Sequence, residues 1–310
     1  MNYLQTNTAP SIFLTDGGLE TDFIFNKNID LPHFAAFTLL ESAEYAQSLS
    51  DYYKPYLELA KQNNTGFILE SPTWRANADW GYKLGYNQQD LIQVNLTAIE
   101  QLKELKQAYQ SEINSIVISG QLGPRGDGYF IDNVMSLAEA QKYHELQVAA
   151  FKTAGVDQVS ALTMTYTDEA AAISLLAKTH QIPVVISFTL ETDGKLPSGE
   201  SLEHAIDTVD QLTGNYPLYY MINCSHPSHF IDELKGNHSW KNRLKGIRAN
   251  ASCKSHCELD AATEIDKGNI PELSNWHLRL MQLLPDLRVF GGCCGTDETH
   301  VSAIYEMVNV

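Results

Sequence analysis

The sequence predicts an α/β chain folded as a (β/α)8 TIM barrel in a single domain, residues 1–310. Three observations predict it. Eight apolar runs of strand length recur from one end of the chain to the other. Helix-patterned stretches lie between them, as parallel strands with helical crossovers require. The unusual, chemistry-bearing pieces follow the ends of those runs, where barrels of this kind build their sites.

The strand runs are IFLTD (12–16), TGFILES (65–71), SIVISG (115–120), QVSALTM (158–164), VVISFTL (184–190), LYYMINC (218–224), LKGIRAN (244–250) and LRVFGGC (287–293). They are rich in Val, Ile and Phe and are bounded by Gly, Pro, Asn or Ser, the pattern of strands buried on both faces. SAEYAQSLSDYYKPYLELAKQNN (42–64) carries Leu, Tyr and Ala on one face and small or charged residues on the other, so a helix is expected. SLAEAQKYHELQVAAFKTAG (136–155) is a second helix, with Gly155 as its stop. A doubly wound open sheet is the competing architecture. It would ordinarily place a G-x-G-x-x-G loop after the first strand, and DGGLET (16–21) does not fit that spacing. No linker, low-complexity tract or charge block divides the chain.

Composition narrows the function classes. The net charge of -17 repels phosphate backbones and anionic membranes, arguing against nucleic-acid or membrane partners, and an acidic field favours cationic small molecules. No apolar run approaches the ~20 residues that span a bilayer. The opening MNYLQTNTAPSIF lacks a basic stretch followed by a long apolar one, so no secretory leader is expected. Four of the five cysteines fall in the last sixty residues, which reads as metal or thiol chemistry in a reducing cytoplasm rather than a disulfide scaffold.

VFGGCCGTDETH (289–300) sets two thiols side by side between glycines. In a regular strand Cys293 and Cys294 would face opposite ways. Gly291, Gly292 and Gly295 can supply the dihedrals that turn both toward one metal. Cys224 ends the sixth strand on the same rim. Three cysteine ligands with a fourth position open is the arrangement of catalytic zinc, while structural zinc is closed by four protein ligands. The rival reading is small buried residues filling the barrel mouth.

DGGLET, ILESPTWRAN, SGQLGPRGDGY, SFTLETDGKLPSGESLEHAI, NCSHP and GGCCGTDETHVSAI together resemble, over nearly the whole chain, the motifs of the homocysteine S-methyltransferase family of zinc-thiolate barrels. The resemblance implies a zinc ion held by Cys224, Cys293 and Cys294, and an S-methyltransferase that moves a methyl group from a cationic donor to a small thiol. S-methylmethionine or S-adenosylmethionine would be the donor, and homocysteine, giving methionine, the acceptor. The same chemistry on another thiol or selenol, and a non-catalytic barrel binding zinc or thiols, are the alternatives. By the same resemblance Asp16, Gly17 and Gly18 hold the amino-acid part of the acceptor, and Glu70 and Thr73 end the second strand where the family's acceptor contacts lie; Asn223, beside Cys224, reads as a substrate-binding hydrogen-bonder on the rim.

Other residues are read with a rival beside each. Glu70 could answer a substrate ammonium or be spent on Arg75 or another barrel arginine. Trp74, Trp80 and Tyr82 are either a cation-holding face or packing. His226 reads as a surface histidine more readily than as a partner of the metal site. Cys253, His256 and Cys257 form the only rival metal pattern, read as a loop with incidental thiols. One position departs from the family: Ala161-Leu162-Thr163 stands where Phe-Glu-Thr is usual, and Leu162 cannot anchor an ammonium as that glutamate does. Glu70 or Glu191 takes over, or the acceptor differs.

Overall fold

The computed structural model describes Leu4, residues 11–131 and residues 133–309. Most of the opening segment read as lacking a leader lies outside the described residues. Eight parallel strands close into a barrel in sequence order, β1 pairing with both β2 and β8. They are β1 Phe13–Leu14, β2 Gly66–Glu70, β3 Ile116–Leu122, β4 Gln158–Met164, β5 Val184–Phe188, β6 Tyr220–Asn223, β7 Leu244–Ala249 and β8 Val289–Gly292. Each falls on one of the eight expected runs.

Alternation along the strands builds two cores. Leu14, Phe67, Leu69, Ile118, Ile186 and Phe290 face outward into the layer under the helices. Phe13, Ile68, Val117, Leu162, Val185, Met221 and Val289 form a separate interior cluster. Toward the C-terminal ends of the strands the interior turns polar: Ser119 and Ser160 share a 2.6 Å hydrogen bond, and Ser160 donates to Glu70 Oε1 at 3.0 Å. Function begins at that level.

The helices follow local rules. Ala43–Gln62 starts on a Ser42 cap that accepts from Tyr45 N–H, and keeps Pro55 inside it. Leu137–Ala154 opens with a reciprocal Ser136/Glu139 capping box and ends on Gly155 at φ 73°, a left-handed stop that glycine adopts without a Cβ penalty. The sixth unit is reduced: only Pro227–Phe230 and a 3-10 turn, Ser239–Arg243, precede β7. A short helix, His256–Asp260, follows β7, inside the segment read as a loop. Among the described residues no helix is long and apolar enough to cross a membrane.

Candidate metal and thiol site

The ends of β6 and β8 bring three sulfurs together. The Sγ atoms of Cys224, Cys293 and Cys294 all lie within 4.8 Å of one another, and those of Cys224 and Cys294 are 3.6 Å apart. Two sulfurs on a tetrahedral ion at ~2.3 Å each stand roughly 3.8 Å apart, so this spacing fits a common metal. No other such cluster of three metal-ligating side chains is found among the described residues, and Cys253 and Cys257 stand exposed.

The backbone explains how adjacent cysteines converge, and it corrects one expectation. β8 stops at Gly292, so Cys293 and Cys294 already lie in a turn. The left-handed dihedrals belong to Gly295 (φ 80°) and to Cys224 itself (φ 58°), not to Gly291 or Gly292. Those two glycines serve close approach: a Cβ on them would run into the side chains of Thr15 and Thr296. On β1's side, a Cβ on Gly18 would meet the Cys293 carbonyl oxygen at 2.5 Å, so only glycine lets the first loop lie against the cysteine turn.

The thiols do not share their acidity equally. Cys293 is held well below the ordinary thiol range, because Cys224 and Cys294 donate to its sulfur and Arg248 is nearby. Its two neighbours are pushed up. The group therefore carries negative charge on Cys293 first.

Arg248, rising from β7, organises this side of the mouth. Its Nη2 donates to Asp16 Oδ1 at 2.7 Å and to the Gly17 carbonyl at 3.3 Å, and its Nε to the Gly292 carbonyl at 3.1 Å. Asp16 also accepts from the Tyr52 hydroxyl at 3.2 Å. Burial raises the Asp16 pKa and Arg248 opposes that rise. Both residues are almost wholly buried, 3% and 5% exposed.

A second wall closes over the sulfurs. The Tyr129 hydroxyl lies 3.2 Å from Cys224 Sγ and 3.7 Å from Cys294 Sγ. The Tyr129 ring stacks on His256 at 4.0 Å and 14°. The two ring nitrogens of His256 lie 2.8 Å from the Cys224 carbonyl and 2.9 Å from Glu191 Oε1. The C-K-S-H-C segment thus contributes its histidine to the site and leaves its thiols outside.

A cavity of about 230 Å³ opens above the sulfurs. Asp16, Gly17, Gly18, Asn223 and the three cysteines line it, as do Glu20, Arg248, Tyr129 and Leu162. Glu70 and Thr73 do not. Glu70, 2% exposed, lies under the floor, where burial lifts its pKa to about 7 against the pull of Arg248. Its Oε2 has no hydrogen-bond partner among the described residues. Thr73 donates to the Gln121 carbonyl at 2.8 Å. Asn223 spends its carboxamide on the protein: Oδ1 accepts from Thr163 N–H and Ser187 Oγ, and Nδ2 donates to Thr163 Oγ1.

Other readings are corrected. Arg75 bonds the Gly126 carbonyl and Asp127, not Glu70. Its guanidinium sits 4.0 Å from the ring centroids of both Trp74 and Trp80, so those aromatic faces already hold a cation of the protein. Tyr82 is exposed and away from the cavity. His226 is buried, not a surface residue; its Nδ1 accepts from Ser228 N–H at the start of Pro227–Phe230, and burial pushes its pKa down to about 4.

Sequence reasoning missed Glu20, Tyr129 and Arg248. Arg248 had a signal, a charged residue near the C-terminal end of a strand run, where such barrels build their sites. Tyr129 closes the Gly-rich GPRGDGY turn, and nothing in the sequence aims it at the sulfurs.

The homocysteine S-methyltransferase family matches residues 13–308. The chain is 23% identical over 241 residues to Homocysteine S-methyltransferase 1 of Arabidopsis thaliana, covering 71% of this chain and 70% of that protein. Its fold is that of the homocysteine methyltransferase MmuM from Escherichia coli, at 19% identity. The metallated form superposes with a TM-score of 0.74 over 96% of each chain, and the oxidized form with 0.74 over 99% of each. On the match to nearly its whole length, this chain belongs to the homocysteine S-methyltransferase family.

Proposed function

We propose that the chain, acting over residues 1–310 as one catalytic barrel, transfers a methyl group from a sulfonium donor, S-methylmethionine or S-adenosylmethionine, to a small thiol. Homocysteine giving methionine is the first pair, Zn²⁺ is the metal, and the reducing cytoplasm is the setting that five free thiols suit. The observation that carries the reading is the convergence of Cys224, Cys293 and Cys294 beneath a cavity.

An all-sulfur donor set suits a borderline-soft ion such as zinc, and three protein ligands leave a position for substrate. When bound, zinc supplies an acceptor sulfur already in the thiolate form at neutral pH. The protein's residues then have to position the two reactants. The donor C–S⁺ bond breaks with its electron pair returning to the donor sulfur, while a C–S bond forms to the acceptor, whose thiol proton has gone to solvent. No side chain need move a proton during that displacement, so orientation dominates. Asp16, fixed by Arg248 and Tyr52, and the backbone at Gly17 and Gly18 hold the amino-acid end of the acceptor. Asn223 holds Thr163, whose backbone is left-handed at φ 61°, and its Nδ2 stands 4.0 Å from Cys293 Sγ, while Glu70 and Thr73 support the floor. The cysteine cluster's negative charge and the Tyr129 ring favour a cationic donor.

Leu162 in the cavity wall favours one variation, in which the acceptor is another small thiol or selenol. Single-turnover transfer from each sulfonium donor to a panel of thiols tests both. Zinc-dependent transfer to homocysteine is expected. Full transfer by metal-free protein, or none with any pair despite bound zinc, contradicts the proposal.

A further inference from the structure

We infer that Glu20 selects the acceptor by binding its ammonium group, so that the site takes amine-bearing thiols and turns away thiols of equal length that lack the amine. The inference rests on the reading of the cavity as a thiol-acceptor site.

The argument comes from which acids of the cavity are already answered. Asp16 is paired with Arg248, Asp127 with Arg75 and Asp266 with Lys254. Asp260 and Glu264 stand exposed. Glu20 lines the cavity half-buried, and among the described residues its carboxylate has neither an ion pair nor a side-chain hydrogen bond, only its own backbone amide. A carboxylate placed there without a cation is electrostatically costly, and a bound ammonium relieves the cost.

A second observation points the same way. Arg248 lines the same cavity, and its buried Nη1 has no partner among the described residues. An unanswered carboxylate and an unanswered guanidinium N–H near one sulfur cluster match the two ends of an α-amino acid. Glu20 lines the same cavity as the three sulfurs and follows by two residues Gly18, which packs on the Cys293 carbonyl. A thiol held at the sulfur cluster would place its amino-acid end within this same cavity, which Phe25 and Phe34 also line. Leu162 offers no charge on the β4 side, so this task falls to β1.

Binding to cobalt-loaded protein tests this without turnover, because a thiol joining the metal changes the cobalt–thiolate absorption. Wild type and Glu20→Gln are each titrated with homocysteine, with 4-mercaptobutanoate (its amine-free counterpart) and with S-methylmethionine, after cobalt stoichiometry has shown that the variant keeps its site. Wild type is expected to prefer homocysteine, and Glu20→Gln to cut that preference by about 30-fold or more, the scale of losing one partner of a buried charge pair. A preference unchanged by the substitution, with both thiols still binding, overturns the role of Glu20. Weakening confined to S-methylmethionine overturns it too, assigning Glu20 to the donor. If neither thiol perturbs the bound cobalt in wild type, the acceptor-site reading falls and takes this inference with it.

Discussion

Glu70 shows how one residue's surroundings fix what it can do. A carboxyl under the floor of the mouth, bonded to Ser160 and unanswered at Oε2, keeps its proton to about pH 7. Its folded-state pKa stands above the ordinary value of 4.5. Such a group adds stability that is fully present below about pH 4.5 and is lost as the pH rises through 7. Glu70→Gln keeps the neutral shape and removes the titration. Urea unfolding at pH 5 and pH 8 is therefore expected to show a smaller drop in stability between the two for the variant than for wild type. An equal drop would mean that Glu70 is ionised in the fold. At this scale the sequence was informative about sulfur and less so about charge. Cys224, Cys293 and Cys294 announced themselves by type and by place at strand ends. The pairing of Asp16 with Arg248 joins residues 232 positions apart, which nothing local records. Glu20 was hidden for another reason: among the described residues its carboxylate has no side-chain partner, and no local pattern records that.

At the scale of elements, all eight strands were legible because burial on both faces leaves continuous apolar runs. Their ends were less so. The expected strands run one or two residues past the observed ends at β1, β2, β5, β6, β7 and β8. There the chain leaves the ladder to turn side chains into the mouth, as Cys224 does with its left-handed backbone. The segment after β7 was the least legible. Its cysteines drew attention, yet the fold uses His256, which ties the Cys224 carbonyl and Glu191 to the stacked Tyr129 ring. His256 is accordingly a positioning residue. His256→Ala is expected to weaken zinc binding by about 10- to 100-fold, the usual cost of removing a residue that orients a ligand. Competition with a chromophoric chelator measures it, and unchanged affinity would show that the His256 contacts do not hold Cys224 in place.

For the whole molecule, closure of the barrel does what no segment can. β6 and β8 are separated by β7, and only the curved, closed sheet turns both of their ends toward one point above the interior core. The acidic net charge and the negative sulfur cluster share one sign, consistent with a cavity that receives cations. Zinc K-edge X-ray absorption on reduced, zinc-loaded protein tests the central claim most directly. The account predicts one zinc per chain with three protein sulfurs at ~2.3 Å, a fourth sulfur on addition of the acceptor thiol, and loss of the metal in Cys224→Ser. Zinc bound mainly through nitrogen or oxygen, or retained at full stoichiometry without Cys224, would contradict it.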